Sequence, residues 1–205
     1  LLAATPEPWR LFFEFLAETG LRIGEAIEVR WGDVDLGQRW LSVDRRLYLG
    51  RVAKPKGRKT RRVKLSESMA RSLWALRKTT EATADGDLLF RSEKGHTIDQ
   101  SNLMSRVLKP AARTVGVEWM GFHAFRHTCA TRLFRSGWNA AQVQRFLGHA
   151  DPGFTLRRYI HLLDEDMPEP VSVGGSTVAT REAETTRDEG AAIVAVPAQP
   201  RAVTG

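Results

Sequence analysis

Sulfur chemistry is nearly absent from this 205-residue chain, which has a single cysteine, Cys129. One cysteine excludes an internal disulfide framework and suits a reducing compartment; its place in an apolar helical run predicts core packing rather than a redox role. Tyrosine is almost as scarce, with only Tyr48 and Tyr159. No apolar run approaches the roughly 20 residues of a membrane-spanning helix, and no charged-then-apolar leader opens the chain. The expectation is a soluble, cytoplasmic protein with no membrane partner. No Asp/Glu cluster or Cys/His set has convincing metal-ligand spacing, so neither a metal nor any other cofactor is expected. His123 and His127 stand four apart, as in a metalloprotease pair, but Ala124 occupies the place of the glutamate base. The chain starts at Leu1 rather than Met and enters a helix almost at once, the expectation for a fragment that lacks its N-terminal part.

What is present is a core and an excess of positive charge. At 42% hydrophobic residues the chain can bury one ordinary domain, and a formal charge of +7 points to an anionic partner. The charge is uneven. After Met167 three arginines face five acids in a stretch rich in Pro, Gly, Ser, Thr and Ala, leaving −2 there and +9 on residues 1–167. Residues 1–167 are therefore read as the folded domain and 168–205 as a disordered tail. Between Arg45 and Lys64 there are ten basic residues and no acid. An exposed strand edge accounts for some of these; ten without one counter-charge suggests a phosphate backbone, with Arg45, Arg46, Arg51, Lys54, Arg58, Lys59, Arg61 and Arg62 as the DNA-facing candidates.

The periodicity predicts a mainly helical α+β fold with a small antiparallel sheet. A helix spans Trp9 to Thr19 with Gly20 as its stop, and a second covers LRIGEAIEVRW, with Arg22 and Glu25 side by side. WLSVDRRLYL and TRRVKL read as strands around the turn KPKGRK. Ser66 caps a helix with Met69, Leu73, Trp74 and Leu76 as core candidates, and Asp99 or Thr97 caps another that Pro110 bends or interrupts. The next helix carries His123 and Arg126 and stops at Ser136-Gly137; Asn139 caps a short helix closed by Gly148, and FTLRRYIHLL makes a last helix bearing Tyr159.

Phosphodiester chemistry would employ such groups. Negative charge on the non-bridging oxygens suits arginine, a tyrosine hydroxyl can attack phosphorus, and proton transfer falls to histidine and lysine. Without a metal, charge stabilisation must come from side chains, with Arg22 and Arg126 as candidates. Each residue alone has a plainer reading: Arg22 and Glu25 as a surface ion pair, His149 as a helix-end histidine, Tyr159 as a helix residue with a wet hydroxyl.

Taken together, ETGLRIGEAIEVRW, PKGRKTRRVKL, HAFRHTCATRLFRSG, VQRFLGHAD and FTLRRYIH resemble the tyrosine recombinase (phage integrase) family, in the family's order and over nearly all of residues 9–165. The resemblance implies the family's catalytic-domain fold and a site-specific DNA recombinase that cleaves and rejoins DNA through a 3′-phosphotyrosyl intermediate. Arg22 and Arg126 would bind the phosphate, and Tyr159 would be the nucleophile. Lys56 would protonate the departing 5′ oxygen, chosen over Lys54 and Lys59 by its spacing to Arg61 and Leu65. His123 would assist proton transfer, His149 would hydrogen-bond the scissile phosphate, and Glu25 would support the site. The partner implied is double-stranded DNA, with assembly as a homo-tetramer on it and an N-terminal DNA-binding domain that these residues do not supply. Phe122-His123-Ala124 in place of Pro-His-Asp, and Lys64 where Pro is frequent, are the departures from the family pattern. Two alternatives stay open: a non-catalytic helix-turn-helix module formed by ATRLFRSGWNAAQVQRFLG, and the same chemistry in a DNA-relaxing or end-resolving enzyme.

Overall fold

The computed structural model describes residues 1–53, 60–92 and 94–148. The first helix, α1 (Trp9–Thr19), buries Phe12, Phe13, Phe15 and Leu16 and ends at Gly20, whose left-handed φ of 61° lets its N–H reach the Leu16 carbonyl at 3.0 Å. Phe13 stacks on Phe125 with ring centroids 5.1 Å apart, and Phe12 and Phe15 meet Phe90 at 5.0 and 5.2 Å. This aromatic cluster fixes α1 against α6 (Phe122–Arg135) at the centre of the core.

The expected second helix is much shorter than the apolar run suggests: α2 covers only Ile23–Ala26. From Val29 the backbone is recruited elsewhere. The Val29 carbonyl accepts from Leu89 N at 2.8 Å, Trp31 N donates to Asp87 O at 3.0 Å, and Arg30 bridges to Leu88. Ile27, Val29 and Trp31 are still buried, in a chain that has left the helix to pair with the DGDLLF segment.

The β-prone region forms two antiparallel sheets where one was expected. Strands β1 (Val34–Asp35), β2 (Trp40–Val43) and β5 (Arg61–Lys64) make one, in the order β1-β2-β5; β3 (Arg46–Tyr48) and β4 (Arg51–Ala53) make a separate hairpin. The run WLSVDRRLYL is therefore two strands, broken at Asp44-Arg45. There the Arg45 guanidinium turns to Asp33 (3.0 Å) and Asp44 (3.1 Å). In β5, Val63 points into the core opposite Leu41, so by the two-residue period Arg61 shares the inward face while Arg62 and Lys64 lie outside. Both outer cations sit 4.6 Å over the ring of Trp40.

Ser66 caps α3 (Glu67–Thr79) by accepting from Met69 N at 3.1 Å. Met69 and Leu73 are buried, but Trp74 is 52% exposed, correcting its place among the core candidates. At five residues from Met69 it is turned well away from the buried stripe. Asp99 caps α4 (Gln100–Leu103) through Asn102 N at 2.7 Å. A π turn over Met104–Leu108 then leads into α5 (Lys109–Thr114), so Pro110 neither stops nor breaks the path. A wider turn just ahead of Pro110 loosens the contact between its ring and the preceding carbonyls. Asn139 caps α7 (Ala140–Leu147) through Gln142 N at 2.9 Å, and Gly148 closes it with φ 69°. Cys129, Ala130, Phe134, Val143 and Leu147 form the small core that joins α6 to α7. Among the described residues no helix is long and apolar enough to cross a membrane. The expected disordered tail and the last helix lie outside the described residues.

Candidate active site

The site is organised around one buried carboxylate. Arg22 occupies the N-cap of α2, and Glu25, three residues on, turns back so that its carboxylate accepts from the Arg22 backbone N–H (3.0 Å) and from the Arg22 guanidinium (3.1 Å). This is no surface ion pair, because the Glu25 side chain shows no exposed surface whereas that of Arg22 retains 27%. The other side of the carboxylate is held by Arg61 from β5, whose two terminal nitrogens donate to it at 2.7 and 3.2 Å. Burial alone would raise the Glu25 carboxyl. The hydrogen bond and charge of Arg61, followed by the N–H and charge of Arg22, outweigh it and hold the carboxyl below its ordinary value.

Arg126 approaches the same place from α6. The turn of α6 that carries Phe125 and Cys129 into the core carries Arg126 with it, and the residue is only 6% exposed. Its guanidinium donates to the Gly20 carbonyl at 2.6 Å and to the Leu147 carbonyl at 2.7 Å, both at the C-terminal ends of helices, α1 and α7. Those ends carry the partial negative charge of the helix dipole and stabilise a buried cation. Burial first, then the charges of Arg22 and Arg61, lower the Arg126 pKa to about 9, so the group remains cationic at neutral pH.

Two guanidinium groups thus hold one carboxylate and a third, that of Arg126, lies near enough to feel their charge, an excess of positive charge in a poorly solvated place. Such a cluster attracts an anion with several oxygens, and arginine can engage two of them at once. Arg22, the most exposed of the three side chains, is the one positioned to meet it from outside.

The structure brings Arg22, Glu25 and Arg126 together, although 106 residues separate the Gly20 carbonyl from the arginine it binds. His123 lies on the first turn of α6, three residues before Arg126, and is exposed. Lys56, His149 and Tyr159, with the basic candidates Lys54, Arg58 and Lys59, lie outside the described residues. Among the DNA-facing candidates Arg61 is corrected: its side chain is 8% exposed and committed to Glu25 and to the Phe146 carbonyl at 3.2 Å, so it faces inward. Arg45 is engaged by Asp33 and Asp44, Arg46 lies 4.6 Å over the ring of Tyr48, and Arg62 lies over Trp40. Arg51 is exposed on the β3–β4 hairpin.

The part played by Arg61 was open to sequence reasoning through the alternation in TRRVKL, where Val63 and Leu65 define the inward face that Arg61 shares. The carbonyls of Gly20, Phe146 and Leu147 carry no sequence signal, because any residue supplies one.

The match to the phage integrase family model extends over residues 2–166. Transposase A from transposon Tn554 of Staphylococcus aureus is 34% identical over 164 residues, covering 77% of this chain and 45% of the transposase. Tyrosine recombinase XerD of Neisseria meningitidis serogroup B is 33% identical over 159 residues, covering 75% of this chain and 50% of that protein. The chain thus spans about half the length of the curated relatives it matches. Among solved structures, the XerH site-specific recombinase bound to difH substrate, in a pre-cleavage complex, superposes with a TM-score of 0.59 at 27% identity, over 80% of this chain and 48% of that one. XerA recombinase gives 0.62 at 25%, covering 82% and 61%. A Tn1549 transposon integrase bound to transposon right end DNA gives 0.64 at 22%, over 77% and 58%, a likeness of fold. With its family model matched along most of its length and Arg22, Glu25 and Arg126 brought into one neighbourhood, the chain belongs to the phage integrase family of tyrosine recombinases.

Proposed function

We propose that this chain is the catalytic part of a site-specific DNA recombinase that cuts and rejoins duplex DNA through a 3′-phosphotyrosyl intermediate. The observation that carries the reading is that Arg22, held by Glu25, and the buried Arg126, held by helix-end carbonyls, come close enough for each other's charge to be felt although they lie on helices far apart in sequence, an arrangement costly to bury unless an anion completes it. Family membership and the DNA-bound complexes of its structural relatives support the same conclusion.

In this reaction Arg22 and Arg126 bind the non-bridging oxygens of the scissile phosphate and stabilise the charge that develops on them. The Tyr159 hydroxyl attacks phosphorus, the 3′ phosphate passes to the tyrosine, and the 5′ oxygen leaves with a proton from Lys56. His123 assists proton transfer and His149 hydrogen-bonds the phosphate. Reversal by a new 5′ hydroxyl rejoins the strand, and because the phosphotyrosine conserves the bond energy, the cycle calls for neither ATP nor a metal. Glu25 does not react; it keeps Arg22 in place. Exchange between two duplexes implies assembly on DNA, with four subunits as the working form and a further DNA-binding domain to close the clamp.

The test is covalent capture. On nicked suicide duplexes carrying the junctions that flank its coding sequence, the chain is expected to form a denaturant-resistant DNA adduct in the presence of EDTA. Tyr159→Phe is expected to abolish the adduct while leaving DNA binding nearly intact. No adduct from the wild-type chain would reduce the protein to a DNA binder, and loss of the adduct in EDTA would restore a metal to the mechanism.

A further inference from the structure

Arg61 is the one member of the cluster that the recombinase reading leaves without a part. It is also the member with the most constrained surroundings. Its two terminal nitrogens grip both oxygens of Glu25, and its Nε donates to the Phe146 carbonyl, 85 residues away in the last turn of α7. The next carbonyl, that of Leu147, is taken by Arg126. Two arginines therefore hold consecutive carbonyls at the end of α7, immediately before Gly148 and His149. Gly148 is shaped to this arrangement: its φ is 69°, and a Cβ there would come within 2.8 Å of the Arg61 Cδ. Lysine could neither span both Glu25 oxygens nor reach Phe146 at the same time, because it offers a point charge in place of a planar fork.

We propose that Arg61 is a positioning residue for strand cleavage: through Glu25 it fixes Arg22, and through Phe146 it fixes the end of α7 on which Arg126 rests. The two phosphate-binding arginines then keep one separation, and the last turn of α7 keeps one place beside them. Arg61 itself touches no DNA. The inference rests on the recombinase reading and assigns a task within it.

The test compares wild type, Arg61→Met, Arg61→Lys and the double variant Glu25→Gln with Arg61→Met, in single-turnover adduct formation on the flanking-junction suicide duplexes. Arg61→Met is expected to lower the rate about 100-fold, the scale of a misplacement near 1 Å. The dependence of its DNA affinity on salt should not change, where a lost phosphate contact would lower the log–log slope by about 0.9. The pH profile gives a second readout. In Arg61→Met, Glu25 stays buried with only Arg22 beside it and Arg126 close by, and it lines a narrow cleft with Glu28, Asp33, Asp44 and Arg45. Its carboxyl then rises, so the cleavage rate should climb with pH toward neutrality. That limb should vanish in the double variant, whose amide does not titrate.

A merely structural role would lower the fraction of active protein but leave the rate and pH profile of that fraction at wild-type values. Such a result overturns the proposal, as does a changed salt slope. If Arg61→Met does not fold, Arg61→Lys decides: a rate reduced at unchanged affinity supports the assignment, and a wild-type rate removes it. If wild type forms no adduct, the recombinase reading itself falls, an outcome separate from a normal wild type beside an unaffected Arg61→Met.

Discussion

Replacing Gly20 with alanine would strike the fold and the site at one atom. Gly20 ends α1 at φ 61°, where an L side chain costs about 1–2 kcal/mol. The new Cβ would also collide with the Leu147 side chain and come within 3.0 Å of the Cys129 Sγ, in a part of the core already close-packed; overpacking of this kind costs about 1–3 kcal/mol. Together these give about 2–5 kcal/mol, a large share of the about 5–15 kcal/mol that holds a domain folded. Urea denaturation of Gly20→Ala, Leu147→Ala and the double variant would separate the parts. Leu147→Ala alone should cost about 2–5 kcal/mol as a cavity, but it removes the atoms the new methyl strikes. The double variant should therefore be more stable than the sum of the singles predicts, by about 1–3 kcal/mol, with the backbone cost left over. The reasoning is refuted if Gly20→Ala lies within about 0.5 kcal/mol of wild type, or if the two substitutions add within about 0.5 kcal/mol.

Ser66→Ala should cost about 1 kcal/mol in the same assay, because the Oγ caps α3 through Met69 N and also binds the Glu18 carboxylate at 2.8 Å; no loss would mean the cap is idle. The Cys129 thiol, whose pKa burial pushes up to about 12, should react with maleimide at pH 8 only as fast as the domain unfolds, and rapid labelling of native protein would contradict its packing. Glu28 is buried, and desolvation raises its carboxyl above 4.5 despite the charges of Arg30 and Arg45. The native state thus binds that proton more tightly than the unfolded chain does, and a penalty develops as pH rises from about 4.5 through the raised native value. Glu28→Gln should accordingly gain stability relative to wild type at pH 7 compared with pH 4, and an equal difference at both would refute the assignment.

Much of the helical frame was legible because it depends on local chemistry. The span of α1, its stop at Gly20, and the caps at Ser66, Asp99 and Asn139 follow from short-range rules that the tertiary structure had no reason to override. Trp74 was legible too had the helical angle been applied strictly, since Met69 and Leu73 set a stripe that excludes it. The shortness of α2 was not. Val29 and Trp31 leave the helix to hydrogen-bond with Leu89 and Asp87, partners more than fifty residues away, and no local window contains that competition. The split of WLSVDRRLYL has a similar cause, because Asp44-Arg45 is turned aside by Asp33, a partner in another element.

At the site, Arg22, Glu25, His123 and Arg126 could be singled out by type and spacing. What spacing could not convey is that Arg126 is buried on two carbonyls, or that Arg61 belongs to the cluster rather than to the surface. Charge counting treated the ten cations from Arg45 to Lys64 as one population. The strand period divides them, sending Arg61 inward to Glu25 and Arg62 outward to Trp40.

The last two residues of α1 and its cap, Gly20, explain why α1 cannot change its length. The Glu18 carboxylate caps α3 at Ser66 while the Glu18 carbonyl accepts from Cys129, the Thr19 hydroxyl returns to the Phe15 carbonyl, and the Gly20 carbonyl holds Arg126. The contacts of Glu18 and Gly20 with α3 and α6 point in different directions, so they are satisfied together at only one rotation of the helix. A single inserted or deleted residue in α1 would turn this end by about 100° and slide it by about 1.5 Å, detaching α3, α6 and Arg126 together. Indels in related sequences should therefore avoid 9–20 and gather where the backbone is bonded only within its own turn, such as the exposed residues 94–96.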